Sequence, residues 1–318
     1  MNKETKTISG YPSNRKVVAN IYTPKQLVEP VQSSKQEIVL LFGHANGFHK
    51  ELWEPIISLL FLNLPKINTF SHYISKAIAF DFSTQGDSAV LNGNILSNLE
   101  KCDWIDYARE SHRIVEQFGL SSRNTIAIGH SLGASSFLVA EIIKPSLFKA
   151  IIAVEPVLKT AMPKPYFPSP FSGSTIRRKA VFISKKEAFD YYKSKLTYST
   201  WDDQILSLHI DHGLLKKTQN GKDIYTLKCN PKIESLTYDG AFYATKLFEK
   251  FPNMIQCPTT IIAGQDSPFS KAIFGIDFAK SLPSGKFFQL DKGGHLLPME
   301  YPKEFATQLV IQIKSLLL

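Results

Sequence analysis

Thr125-Ile126-Ala127-Ile128-Gly129-His130-Ser131-Leu132-Gly133-Ala134 is the stretch on which the reading of this chain turns. A short apolar run ends at Gly129, a serine stands two residues later, and a helix-favouring segment, Ala134-Ser135-Ser136-Phe137-Leu138-Val139-Ala140, follows Gly133. Gly-x-Ser-x-Gly alone turns up by chance in loops; a strand before it and a helix after it make it a nucleophile elbow. A serine on so sharp a turn has a strained backbone, and the glycines two before and two after it remove Cβ atoms that would meet their neighbours. Its hydroxyl then projects above a sheet edge, where a histidine reaches it and the amide of Leu132, opening the helix, faces a developing oxyanion.

Outward from Ser131, apolar runs bounded by turns alternate with longer helical patterns, which predicts βαβ units and a mostly parallel sheet flanked by helices. Buried strands are expected over 37–43, 76–80, 124–129, 149–154, 259–263 and 286–290, and helices over 52–62, 104–118, 134–143, 272–282 and 305–316. From about 158 to 246 the rhythm breaks. That segment opens with Pro163, Pro165, Pro168 and Pro170 among Tyr166, Phe167 and Phe171, passes Arg177-Arg178-Lys179, and reaches Ala188-Phe189-Asp190-Tyr191-Tyr192. A long insertion in an alternating pattern sits over the carboxyl ends of the strands, and its aromatic residues, Trp201 included, call for packing rather than a disordered linker. The expected organisation is a core in two parts, 1–157 and 247–318, with 158–246 inserted as a cap whose Phe167, Phe171 and Tyr191 shape a pocket.

Composition narrows the class. With 43% hydrophobic and 20% charged residues over 318 positions, the chain reads as an ordinary globular protein, neither disordered nor fibrous. No apolar run approaches the roughly 20 residues that span a bilayer, and Met1-Asn2-Lys3-Glu4-Thr5-Lys6 has no apolar segment behind it, so neither a transmembrane segment nor a secretory signal is expected. Cys102, Cys229 and Cys257 are odd in number and lack metal spacing, which predicts reduced thiols in an intracellular protein. The net charge of +9 favours anionic partners or membrane surfaces, but Lys and Arg form no run interleaved with aromatics, and nucleic-acid binding is not expected.

A serine on such an elbow is followed in chain order by an acid and then a histidine. Gly293-Gly294-His295, on the loop after the last expected strand, supplies the base, its glycines letting the backbone bring the imidazole inward. His209, His212, His112, His72 and His49 have no comparable setting, and His130 reads as a packing or hydrogen-bonding neighbour. Asp266, ending the penultimate strand, is the preferred acid; Glu155, ending the strand after the nucleophile helix, is the alternative. The second oxyanion donor is expected from Gly43-His44-Ala45-Asn46-Gly47-Phe48, after the first core strand, as the backbone amide of Asn46 acting with that of Leu132.

His44 to Gly47 with Trp53, Asp81 with Gly86-Asp87-Ser88, the elbow at Ser131 and Gly294-His295 together resemble the α/β-hydrolase superfamily across nearly the whole chain. Within it, His44-Ala45-Asn46-Gly47-Phe48-His49-Lys50-Glu51-Leu52-Trp53, Gly86-Asp87-Ser88-Ala89, Trp104-Ile105-Asp106 and Glu155-Pro156 are similar to fungal peroxisomal serine hydrolases. The resemblance implies an α/β-hydrolase fold and a lipase- or esterase-like enzyme that cleaves carboxylic esters, lipid esters among them, without metal or organic cofactor. Acyl transfer or thioester cleavage with the same serine is the rival chemistry, and a binding protein that has lost catalysis is the rival of another class. A small-molecule ester or lipid is the expected partner, with peripheral contact to a lipid surface; nothing in the sequence sets the oligomeric state. Cytoplasm or peroxisome is the expected compartment. Members of that group end in a tripeptide like Ser-Lys-Leu, whereas Leu316-Leu317-Leu318 is a poor peroxisomal signal.

Overall fold

The computed structural model describes residues 1–25, 35–63, 72–158, 169, 171–269 and 276–317. Its core is an eight-stranded sheet of β1 (Asn2–Ser9), β2 (Lys16–Thr23), β3 (Gln36–Gly43), β4 (His72–Phe80), β5 (Thr125–His130), β6 (Ala150–Val154), β10 (Thr259–Gly264) and β11 (Gly285–Leu290), ordered β1-β2-β4-β3-β5-β6-β10-β11. From β4 to β11 every neighbouring pair is parallel. All six strands expected from apolar runs are present, because parallel strands covered on both faces need no polar alternation. In β3, Val39 and Leu41 point into one buried cluster with Phe80, Ala127 and Phe137, while Ile38, Leu40 and Phe42 point into the opposite one with Ile57, Ile128, Ile152 and Leu309.

The two antiparallel strands at the N-terminal edge carry no such signal. Most side chains of β1 are exposed, and the apolar run of β2 is broken by buried Asn20, which donates to Tyr22 Oη at 3.0 Å and Glu51 Oε1 at 3.1 Å. Expected helices appear as Glu54–Asn63, Trp104–Gln117, Leu132–Ile143 and Pro302–Leu317. The helix expected over 272–282 is seen as Ile276–Lys280; residues 270–275 lie outside the described residues.

Between β6 and β10 the inserted residues build a small unit of their own. A three-stranded antiparallel sheet, in the order β7 (Val181–Phe182), β9 (Lys222–Leu227), β8 (Leu214–Gln219), packs with helices Lys185–Lys193 and Asp203–Gly213. The helices start on side-chain caps: Ser184 accepts from the Glu187 amide, and Asp202 from Gln204 and Ile205. Phe182, Tyr192, Trp201, Ile205 and Leu206 are buried together with Phe48, so the unit packs on the loop that follows β3. Of the proline-rich opening, 163–168 and Pro170, with Tyr166 and Phe167, fall outside the described residues.

Candidate active site

β5 delivers Ser131 to the site. The strand ends at His130, Ser131 takes φ +52° and ψ −109°, and the helix starts at Leu132. A positive φ on a non-glycine residue costs on the order of 1–3 kcal/mol and persists only where the surroundings fix it. Here the Ser131 amide donates to the Val154 carbonyl of β6 (2.9 Å), and the Ser131 carbonyl accepts from the Ser135 amide (2.9 Å). Both elbow glycines are sterically required: a Cβ on Gly129 would lie 2.4 Å from the Ala134 nitrogen, and one on Gly133 would lie 2.3 Å from the Gly43 carbonyl oxygen.

The loop after β11 brings His295 over this serine. Its Nε2 lies 3.0 Å from Ser131 Oγ, and its Nδ1 lies 3.2 Å from Glu155 Oε2. A carboxylate acceptor at Nδ1 places the imidazole proton there and leaves the Nε2 lone pair facing the serine hydroxyl. Glu155 directly follows β6, also at positive φ (+48°), and is fully buried. Its charge is met by three donors: the Gly264 amide at Oε1 (2.8 Å), and the Ser267 hydroxyl (2.6 Å) and His295 at Oε2.

Asp266, the acid preferred from the sequence, does not face the imidazole. Its side chain is exposed, and its amide donates to the Gly293 carbonyl at 3.0 Å. The turn after β10 holds Glu155 instead: Gly264 and Ser267, on either side of Asp266, donate to it. The strands bearing Ser131 and Glu155 are direct neighbours in the sheet, and the glutamate side chain covers the remaining distance to His295.

His130 holds His295 in place. It is fully buried, and its Nε2 donates to the His295 carbonyl oxygen at 2.7 Å. Burial, reinforced by nearby His295, pushes its pKa down to about 3, so it is a neutral strut at ordinary pH. His44 behaves alike: burial takes its pKa to about 3, Nδ1 donates to the Ala45 carbonyl at 2.8 Å, and Nε2 accepts the Phe82 amide at 3.2 Å.

The loop after β3 is tied directly to the elbow, with the Gly133 amide donating to the His44 carbonyl at 3.1 Å. Asn46 is buried, its side chain clamped by Gln85 Nε2 at Oδ1 (2.7 Å) and the Glu234 carbonyl at Nδ2 (3.1 Å). Gln85 Oε1 also accepts the amide of Gly47 (2.7 Å), a residue at φ +80° over which Glu234 leaves no room for a Cβ. Among the described residues, neither the Asn46 amide nor the Leu132 amide donates a hydrogen bond, whereas the Ser131 and Gly133 amides are both used. Two uncommitted N–H groups beside a serine that meets a histidine can receive an oxyanion.

Gln85, Ser267 and the backbone of Glu234 escaped the sequence reading. No motif marks them; each acts by meeting a polar group brought close only by the fold. A wall of rings leads away from His295: Phe269 packs edge-on against it at 4.7 Å between centroids, and Phe171 lies 6.4 Å from Phe269. Tyr191, expected to line the pocket, sits among Phe182, Lys179 and Lys195.

Residues 38–308 match the alpha/beta hydrolase family. The chain belongs to that family. It is 29% identical over 202 residues to peroxisomal membrane protein LPX1 of Saccharomyces cerevisiae, covering 58% of this chain and 50% of that one. It is 27% identical over 178 residues to the type I acyl-CoA thioesterase mpaH of Penicillium roqueforti, covering 54% of this chain and 39% of that one. The chain thus matches half or less of the length of these relatives. Among solved structures, the peroxisomal hydrolase Lpx1 of S. cerevisiae superposes with a TM-score of 0.81 at 22% identity, over 99% of this chain and 88% of that one. The thioesterase domain from the curacin biosynthetic pathway does so at 0.65 and 13% identity, over 98% of this chain and 100% of that one. Both are likenesses of fold.

Proposed function

We propose that this alpha/beta hydrolase is a serine esterase acting on carboxylic esters, lipid esters included, through an acyl-enzyme. The observation that carries the proposal is the unbroken relay from Glu155 through His295 to Ser131, with contacts of 3.2 and 3.0 Å. Ser131 Oγ attacks the ester carbonyl while His295 Nε2 takes its proton. The imidazolium so formed is stabilised by buried Glu155, and the tetrahedral oxygen is received by the amides of Leu132 and Asn46. His295 then returns the proton to the departing alkoxide, leaving an acyl group on Ser131. A water, deprotonated by the same imidazole, releases the acid and restores the serine. Neither metal nor organic cofactor enters this sequence of steps. The insertion 158–246 serves as the cap, and the Phe269–Phe171 wall is the apolar surface along which an acyl chain lies.

Thioester cleavage is the second reading, supported by the similarity to fungal acyl-CoA thioesterases. The acyl-enzyme is the same and only the leaving group differs. The likeness to a peroxisomal protein supports a peroxisome-related setting; no helix among the described residues is long and apolar enough to cross a membrane. A panel of p-nitrophenyl esters from acetate to palmitate, run beside acyl-CoA thioesters of the same lengths, tests the proposal. Turnover of the esters, lost in Ser131→Ala, is the expected result. Turnover of thioesters alone selects the second reading, and no turnover of either class refutes both.

A further inference from the structure

The chain's positive charge is concentrated in the insertion. Residues 158–246 hold fifteen Lys and Arg against eight Asp and Glu, so +7 of the total +9 falls on them, and the rest of the chain is nearly neutral. Large aliphatic side chains project from the same unit: Leu196 is 88% exposed and Ile183 76%, with Val181 and Ile176 about half exposed.

Contacts connect Ile183, Lys179, Lys195 and Leu196 through one side of this unit. β7 is an edge strand of the small sheet, and Ile183 follows it. Glu187, one turn into the next helix, accepts from the Ile183 amide at 2.7 Å and from Lys179 Nζ at 2.5 Å. The ring of Tyr191, one turn further on, lies under both Lys179 (5.7 Å) and Lys195 (4.5 Å), and Lys195 adjoins Leu196. An exposed edge with protruding aliphatic side chains near lysines is costly in water, and folded proteins seldom leave one without use.

We propose that this face, centred on Ile183, Leu196, Lys179 and Lys195, docks on a lipid bilayer bearing anionic headgroups. Charge alone would suit any polyanion; Ile183 and Leu196 decide for the bilayer, because a soluble anion or a nucleic acid backbone gives them nothing to enter. At a bilayer the lysines remain at the headgroups, long enough to snorkel, while the aliphatic side chains reach the acyl boundary. The docking is independent of the chemistry at Ser131, so it stands or falls separately from the proposed esterase activity.

The test is sedimentation of the full chain with sucrose-loaded vesicles, phosphatidylcholine alone against phosphatidylcholine with 30 mol% phosphatidylserine, at 50 mM and 500 mM salt. Partition at least tenfold stronger into the anionic vesicles at low salt is expected, weakening at high salt. Ile183→Ser with Leu196→Ser should lower it at least fivefold, as should Lys179→Glu with Lys195→Glu. Hydrolysis of a soluble acetate ester by either double variant should remain within twofold of the parent, which also reports that it has folded. Equal partition into both vesicle types, no binding to either, or full binding by the Ile183→Ser/Leu196→Ser variant would overturn the proposal.

Discussion

Replacing Glu155 with Gln is nearly isosteric, yet the local geometry makes it severe. Oε1 of Glu155 accepts the Gly264 amide, so a glutamine must keep its carbonyl oxygen there; turning the amide over would set NH2 against an N–H donor. The glutamine NH2 is then forced towards Ser267 and His295 Nδ1, the positions now 2.6 and 3.2 Å from Oε2. Nδ1 must become an acceptor, the imidazole proton moves to Nε2, and the histidine can no longer take the Ser131 proton. Loss of the acid in a comparable serine relay lowers kcat by about 10⁴, or about 5 kcal/mol of transition-state stabilisation. Stability should change by no more than about 1–2 kcal/mol, since packing is conserved. Asp266→Asn, altering an exposed side chain, should leave turnover within about twofold. Rates of fluorophosphonate labelling for the two variants, with urea unfolding of each as a control, make the comparison. If Asp266→Asn slows labelling more than Glu155→Gln does, the assignment of the acid is refuted.

Further outcomes follow from neighbouring contacts. Gln85→Leu removes the clamp on Asn46 and Gly47 and should lower kcat by about ten- to a hundredfold with little change in KM, read from steady-state kinetics on a soluble ester; a pure KM effect would contradict a role in placing the oxyanion donor. Phe269→Ala or Phe171→Ala should shift chain-length preference more than acetate turnover, and uniform loss on every ester would point to folding instead. His44 and His130 have pKa values depressed in the fold to about 3, so unfolded chains bind protons that folded ones do not; their stabilising contribution is full above about 6.5 and falls away as pH drops towards 3. Each should cost about 2 kcal/mol between pH 7 and pH 5. His130→Gln should flatten that dependence in urea unfolding, and an unchanged slope would contradict a buried neutral imidazole.

What could be read from the sequence followed from physics confined to short stretches. Ile126 to Ala134 carries its own strand, turn and helix signals, and β3, β5, β6 and β10 each hold an apolar run because both faces of the sheet are covered. The meeting of His295 with Ser131 was legible because the glycines before His295 and its place after the last strand restrict where it can stand. Which carboxylate meets His295 was not, because Glu155 and Asp266 each follow a parallel strand, and only side-chain direction in three dimensions separates them. Gln85 and Ser267 were invisible for a related reason: their partners lie 38 and 112 residues away along the chain. β1 lacked a signal because a solvated edge strand needs no apolar residues.

The most direct test of the central claim is the mass of the intact protein after reaction with a fluorophosphonate, followed by peptide mapping. One adduct per chain on the peptide containing Ser131, absent from Ser131→Ala and slowed by Glu155→Gln, is the predicted result. A stable, folded parent chain that takes no adduct, or takes it at a residue other than Ser131, would contradict the account.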